Sequence, residues 1–121
     1  MTTDPVQVEI YIADDGEAPF ETWFEKLRDR QARARILARV ARVRLGNFGD
    51  SKALGGGISE LRIDYGPGYR LYFAEVGGRV VLLLCGGDKR TQRSDIERAK
   101  EYLADYKLRI KHRRGKEGKS S

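Results

Sequence analysis

Between Ser59 and Cys85 the chain passes through three strand-like runs, each closed by glycine. No other stretch limits the fold as strongly. Ser59, Leu61, Ile63 and Tyr65 alternate with Glu60, Arg62 and Asp64 before Gly66-Pro67-Gly68 turns the chain. Tyr69, Leu71 and Phe73 then alternate with Arg70, Tyr72 and Ala74, and Gly77-Gly78 sets a second tight hairpin. The segment from Arg79 to Cys85 is apolar on both faces, the pattern of a strand covered from above and below. Gly86-Gly87 is expected to end it. Strands joined in series by hairpins pair antiparallel, so this half of the chain predicts an antiparallel sheet.

Helical and strand signals flank that stretch. Val6, Val8, Ile10 and Ile12 alternate with Gln7, Glu9 and Tyr11, a half-buried strand. Asp14-Asp15-Gly16 breaks it. Pro19 then opens a short helix whose Phe20, Trp23, Phe24 and Leu27 fall on one face. A second helix is expected from about Asp29 to Leu45, capped by Asp29 and stopped by Gly46-Asn47. Its Ile36, Val40 and Val43 form a core face. The glycine-rich segment 47–57 reads as a loop holding at most a strand fragment, Lys52 to Leu54. A last helix starts near Thr91 or Ser94, where Ser94 and Glu97 have capping-box spacing. Ile96, Ala99, Leu103, Tyr106 and Ile110 are its apolar stripe. The order is therefore β-α-α-β-β-β-α, an α+β domain with its helices gathered to one side of the sheet.

Composition narrows the chemistry. The chain has 121 residues, the length of one domain. Residues 1–111 are expected to form it. Residues 112–121, HRRGKEGKSS, carry nothing apolar and are expected to be a disordered basic tail. His112 is the only histidine and lies in that tail, which discards histidine-based acid–base chemistry and metal binding. The single cysteine, Cys85, excludes an internal disulfide and a cysteine-based zinc site, and reads as a buried strand thiol in a cytoplasmic protein. The longest apolar run, Val80 to Cys85, is far shorter than the roughly 20 residues of a membrane span, and no signal-peptide pattern opens the chain. No metal, cofactor or membrane partner is expected.

Charge falls in blocks. Residues 1–25 hold seven acids and no lysine or arginine, residues 26–52 hold nine bases and two acids, and residues 107–121 hold seven bases and one acid. Six arginines lie between Arg30 and Arg44 with no acid among them. Neighbouring like charges on a helix repel, so something negative is expected to offset them: the acids of the preceding helix, a nucleic acid or an acidic partner. Around the sheet, Arg62 and Arg70 flank the Gly66-Pro67-Gly68 hairpin, Lys89 and Arg90 follow the last strand, and Lys52 precedes the first. Glu60 shares a strand face with Arg62, and Tyr72 with Arg70. Arginine grips phosphate oxygens with paired hydrogen bonds, and preorganised cations stabilise the charge built up when a ribose 2′-hydroxyl attacks the next phosphate. Glu60 is placed in sequence to accept that proton. Equally, Glu60 and Arg62 fit an ordinary cross-strand ladder.

Three stretches, APFETWFEKLRDRQARARI, GNFGDSKALGGGISELRIDYGPGYRLYF and LLLCGGDKRTQRSDIERAKEYL, resemble the addiction module killer branch of the RelE/ParE/HigB toxin superfamily. The resemblance implies a small toxin of a type II toxin–antitoxin pair with a RelE-like fold: a twisted antiparallel sheet, two N-terminal helices and a C-terminal helix. It implies a ribosome-dependent mRNA endoribonuclease that inhibits translation without metal, leaving a 2′,3′-cyclic phosphate and a 5′-hydroxyl. Carried over by motif, Arg70 would bind the scissile phosphate, with Arg62 and Lys89 at the other basic positions. Glu60 stands where RelE has lysine, and would act as base or as partner of Arg62. Asp95 stands near the place of a functional tyrosine, with Tyr102 two turns on, and Tyr72 is a candidate substitute that would stack on a base or act in acid–base chemistry, or else pack. Lys52, Arg90, Arg35, Arg39 and Arg42 would contact RNA. The implied partners are the ribosome, mRNA and an antitoxin, often a helix-turn-helix DNA-binding protein. The alternative is a ParE-like, non-enzymatic inhibitor of DNA gyrase on the same fold.

Overall fold

The computed structural model describes residues 5–119, with side chains described through Arg113. The elements run β1 (Gln7–Ile10), α1 (Pro19–Glu25), α2 (Arg30–Arg44), β2 (Ser51–Gly55), β3 (Ile58–Ile63), β4 (Tyr69–Val76), β5 (Val80–Asp88), a 3-10 turn (Lys89–Thr91) and α3 (Gln92–Lys119). The strands form one sheet in the order β1-β5-β4-β3-β2. This is the expected α+β architecture with one strand more. The segment 51–55 is a complete edge strand, not a fragment, because it pairs antiparallel with β3 through a two-residue turn. Gly56 and Gly57 supply the positive φ angles of 64° and 83° that such a turn requires.

Two further expectations need correction. The sheet is mixed: β1 runs parallel to β5, while the other pairs are antiparallel. No hairpin ties β1 to its neighbour, so alternation within β1 left its direction open. The helices also lie on both faces. Phe20 of α1 and Ala32, Ile36, Val40 and Val43 of α2 pack on Leu61, Ile63, Leu71, Phe73, Val81 and Leu83. Ala99 and Leu103 of α3 pack on the other face, against Ile58, Tyr72, Ala74, Leu82, Leu84 and Cys85. Covering β5 from both sides explains its continuous apolar run. A bulge opposite Tyr72 and Phe73 leaves Leu84 as the extra residue.

The glycines expected to end β5 instead lie inside it, and the strand continues to Asp88. A Cβ on Gly86 would overlap the Trp23 ring, and one on Gly87 would overlap the Asp95 carboxylate. Glycine is there because α1 and α3 press onto the backbone from opposite sides. The cap of the last helical segment also differs. Asp88, not Ser94, takes the cap: its carboxylate accepts from the Arg90 N–H at 2.8 Å, and Thr91 closes the box. Ser94 lies within the first turn of α3, donating to the Thr91 carbonyl at 3.1 Å. The backbone of α3 stays helical through Lys119, so residues 112–119 are an extension of the helix where composition predicted disorder. Helical periodicity upstream propagates through a segment that has no stop signal except Gly115 and Gly118. Ser120 and Ser121 lie outside the described residues.

Candidate functional site

The register of β3 and β4 decides which charged residues meet. Arg62 lies opposite Arg70, and Glu60 opposite Tyr72. On the flanking strands Lys52 lies opposite Glu60, and Gly87 opposite Arg70. All six therefore occupy the α3 face near one end of the sheet. Lys89, just past β5, reaches the same end, where its Cβ lies 3.8 Å from a Cβ built on Gly68. The structure thus gathers Arg62, Arg70 and Lys89 at one rim.

Two arginines opposed across a ladder repel. Each is given its own acid. Arg62 donates to Asp50 Oδ1 from Nη2 at 2.8 Å and from Nε at 3.1 Å, on the exposed edge. Arg70 is 15% exposed and pairs with Glu60 Oε1 at 3.3 Å. The other carboxylate oxygen of Glu60 accepts from Gln92 Nε2 at 3.4 Å. Glu60 is 2% exposed, with both oxygens engaged. As placed it cannot receive a proton from a solvent-side ribose, and it partners Arg70 rather than Arg62. The general-base reading of Glu60 gives way to one in which it holds Arg70. Arg70 Nε is buried with no hydrogen-bond partner, and what remains open to an anion is the 15% of the side chain that is exposed.

The remaining candidates divide. Tyr72 is fully buried beneath α3, so it packs in the core and cannot stack on a base; burial holds its hydroxyl far above the ordinary phenol range. Lys52 and Lys89 are exposed. Arg90 is exposed but paired with Asp88 at 2.9 Å. Lys89, Arg90, Gln92, Arg93, Ile96 and Glu97 line a groove of about 430 Å³ beside the rim. Arg35, Arg39 and Arg42 sit on α2, across the sheet from this cluster. Arg35 covers the Tyr65 ring at 4.6 Å. Arg39 donates to the carbonyls of Arg62 at 2.5 Å, Phe48 at 2.9 Å and Asp50 at 3.2 Å. Its guanidinium is a clamp on the β2–β3 edge, which removes it from the RNA-contacting set. Charge-assisted bonds of this kind contribute roughly 1.5–3 kcal/mol each at most. Arg39→Ala is accordingly expected to lower stability by about 2–3 kcal/mol, and an unchanged urea midpoint would contradict the clamp.

Sequence reading missed Gln92 and Asp50, the two groups that complete the cluster. Gln92 lay in the GGDKRTQ stretch, and its place opposite Glu60 is a tertiary fact. Asp95 is 5% exposed, accepts from the Thr91 hydroxyl at 2.5 Å, and has its carboxyl raised above the usual carboxylate range by burial. Cys85 is buried, with its thiol pushed up to about 12. Among the described residues no three His, Cys, Asp or Glu side chains gather to hold a metal ion, and no helix is long and apolar enough to cross a membrane.

A small α+β domain carrying opposed arginines and a lysine at one sheet end is a candidate anion-binding scaffold. Residues 22–105 match the family described as phage-derived protein Gp49-like (DUF891), and the chain belongs to that family. It is a family of toxin–antitoxin toxins related to RelE-like toxins. An uncharacterized protein of Haemophilus influenzae is 53% identical over 81 residues, covering 67% of this chain and 82% of that relative.

Proposed function

We propose that the chain is the toxin of a type II toxin–antitoxin pair and acts as a ribosome-dependent mRNA endoribonuclease. The observation that carries this reading is the in-register Arg62–Arg70 pair with Lys89 at the same end of the sheet. In the proposed reaction the 2′-oxygen of a ribose attacks the adjacent phosphorus. The 2′-hydroxyl proton passes to water as the new bond forms; the bond to the 5′-oxygen breaks, and that oxygen takes up a proton from water. The products are a 2′,3′-cyclic phosphate and a 5′-hydroxyl. Arg70 binds the phosphate, Arg62 and Lys89 stabilise the added negative charge, and Glu60 with Gln92 positions Arg70. Lys52 and Arg90 extend the cationic surface along the RNA. An antitoxin neutralises the toxin by binding it.

Cell-free translation with primer-extension mapping tests this. Adding the chain is expected to produce ribosome-dependent breaks in mRNA with 5′-hydroxyl ends. Intact mRNA together with blocked DNA supercoiling would instead favour a gyrase-directed, non-enzymatic toxin.

A further inference from the structure

We propose that the outer face of α2 is a docking surface for an acidic amphipathic helix of a partner protein. The inner face of α2 is already satisfied: Ala32, Ile36, Val40 and Val43 are buried against the sheet. The fold asks for no second apolar stripe. Yet Ala34, Leu37, Ala38 and Ala41 are all exposed and recur at i, i+3, i+4 and i+7, a strip two turns or roughly 11 Å long. Leu37 is 55% exposed, and Leu45, four residues beyond Ala41, is 66% exposed.

Charge borders the strip on both sides. At 100° per residue, Arg44 falls along one margin and Arg35 and Arg42 along the other, while Arg30 closes the N-terminal end of the strip, all exposed. α2 contains no acid. Among the described residues no carboxylate forms an ion pair with Arg30, Arg42 or Arg44. The acids of the preceding segment do not offset these charges by contact: Glu17 accepts from Thr22, and Asp29 caps α2 and binds the Tyr65 hydroxyl. Arg42 in addition stands against the like charge of Arg39, which an acidic partner would relieve.

The pattern of the strip identifies that partner's chemistry. A polynucleotide would satisfy the arginines but press phosphate and sugar against Leu37 and three alanines. A helix with its own apolar ridge covers the strip, and acids on its flanks meet the arginine margins. The alanines let the two helix axes approach closely. This surface lies across the sheet from Arg62, Arg70 and Lys89, so the proposal stands independently of the ribonuclease reading. Under that reading, its occupant is a segment of the antitoxin.

The probe is a fluorescein-labelled peptide of roughly 18 residues, long enough to hold a helix. It carries leucines at i, i+3, i+4 and i+7 and glutamates on both flanks, and is titrated into the full chain. Saturable, salt-sensitive binding is expected, with amide shifts concentrated at Ala34, Leu37, Ala38 and Ala41. Leu37→Glu is expected to weaken it about tenfold, as is the pair Arg42→Glu and Arg44→Glu. Equal binding by a peptide with lysine for every glutamate overturns the proposal, as do shifts that map elsewhere. So does a single-stranded RNA that displaces the peptide and is unaffected by Leu37→Glu. Should Leu37→Glu fail to fold, Ala38→Glu and the shift map on the unaltered chain decide the matter.

Discussion

Arg70→Ala is expected to lower mRNA cleavage by at least about a hundredfold, the usual scale for removing a preorganised group that stabilises developing charge. It is also expected to weaken the fold, which complicates the reading of that loss. Glu60 is 2% exposed and has Arg70 as its ion partner. Stripping one partner from a buried pair leaves an uncompensated charge, at a cost on the order of 3 kcal/mol. The two effects separate in a double variant. Arg70→Met combined with Glu60→Gln removes the stranded carboxylate and keeps the volume filled. It should recover most of the stability measured by urea unfolding while cleavage stays absent. A folded double variant that cleaves at the original rate would remove Arg70 from the reaction.

Gly87→Ala should destabilise the chain by about 1–3 kcal/mol, the range for forcing a methyl group into a filled core. The cause is steric rather than conformational, since Gly87 is not among the glycines with positive φ. The added Cβ would overlap the Asp95 carboxylate and lie 2.9 Å from the Thr91 hydroxyl. The first turn of α3 must then lift from β5, breaking the 2.5 Å Thr91–Asp95 hydrogen bond. Gln92 lies on that turn, so its contact with Glu60 is disturbed as well. Adding Asp95→Ala makes room for the methyl group and should return part of the stability. A Gly87→Ala chain with an unchanged melting curve would show that helix and strand are not in such close contact.

Much of the fold was legible from local chemistry. The alternation of β3 and β4, the Gly66-Pro67-Gly68 and Gly77-Gly78 turns, the Pro19 start and the Asp29 cap are events within a few residues. Each is decided by φ preference, a single hydrogen bond or a repeating period. The candidate site was legible in part for the same reason: Arg62 and Arg70 sit symmetrically about a hairpin, so knowing the turn places them opposite one another. Glu60 was misread because its exposure depends on α3, which returns from far along the chain to cover it. Arg39 was misread likewise, and the structure decides for Tyr72 the packing alternative. A guanidinium on a charged helix stripe looks solvent-facing until its neighbours are known.

The sequence by itself determined most of the elements, the Gly66-Pro67-Gly68 and Gly77-Gly78 turns and the blocks of charge, because all of these follow from interactions between residues close in the chain. Only the tertiary structure decided that β1 joins parallel to β5, that helices cover both sheet faces, and that Glu60 and Gln92 hold Arg70. It also separated the arginines of α2 into a clamp and an exposed margin. Those outcomes depend on which surfaces exclude water from one another, and burial is a property of pairs of segments that no single segment carries.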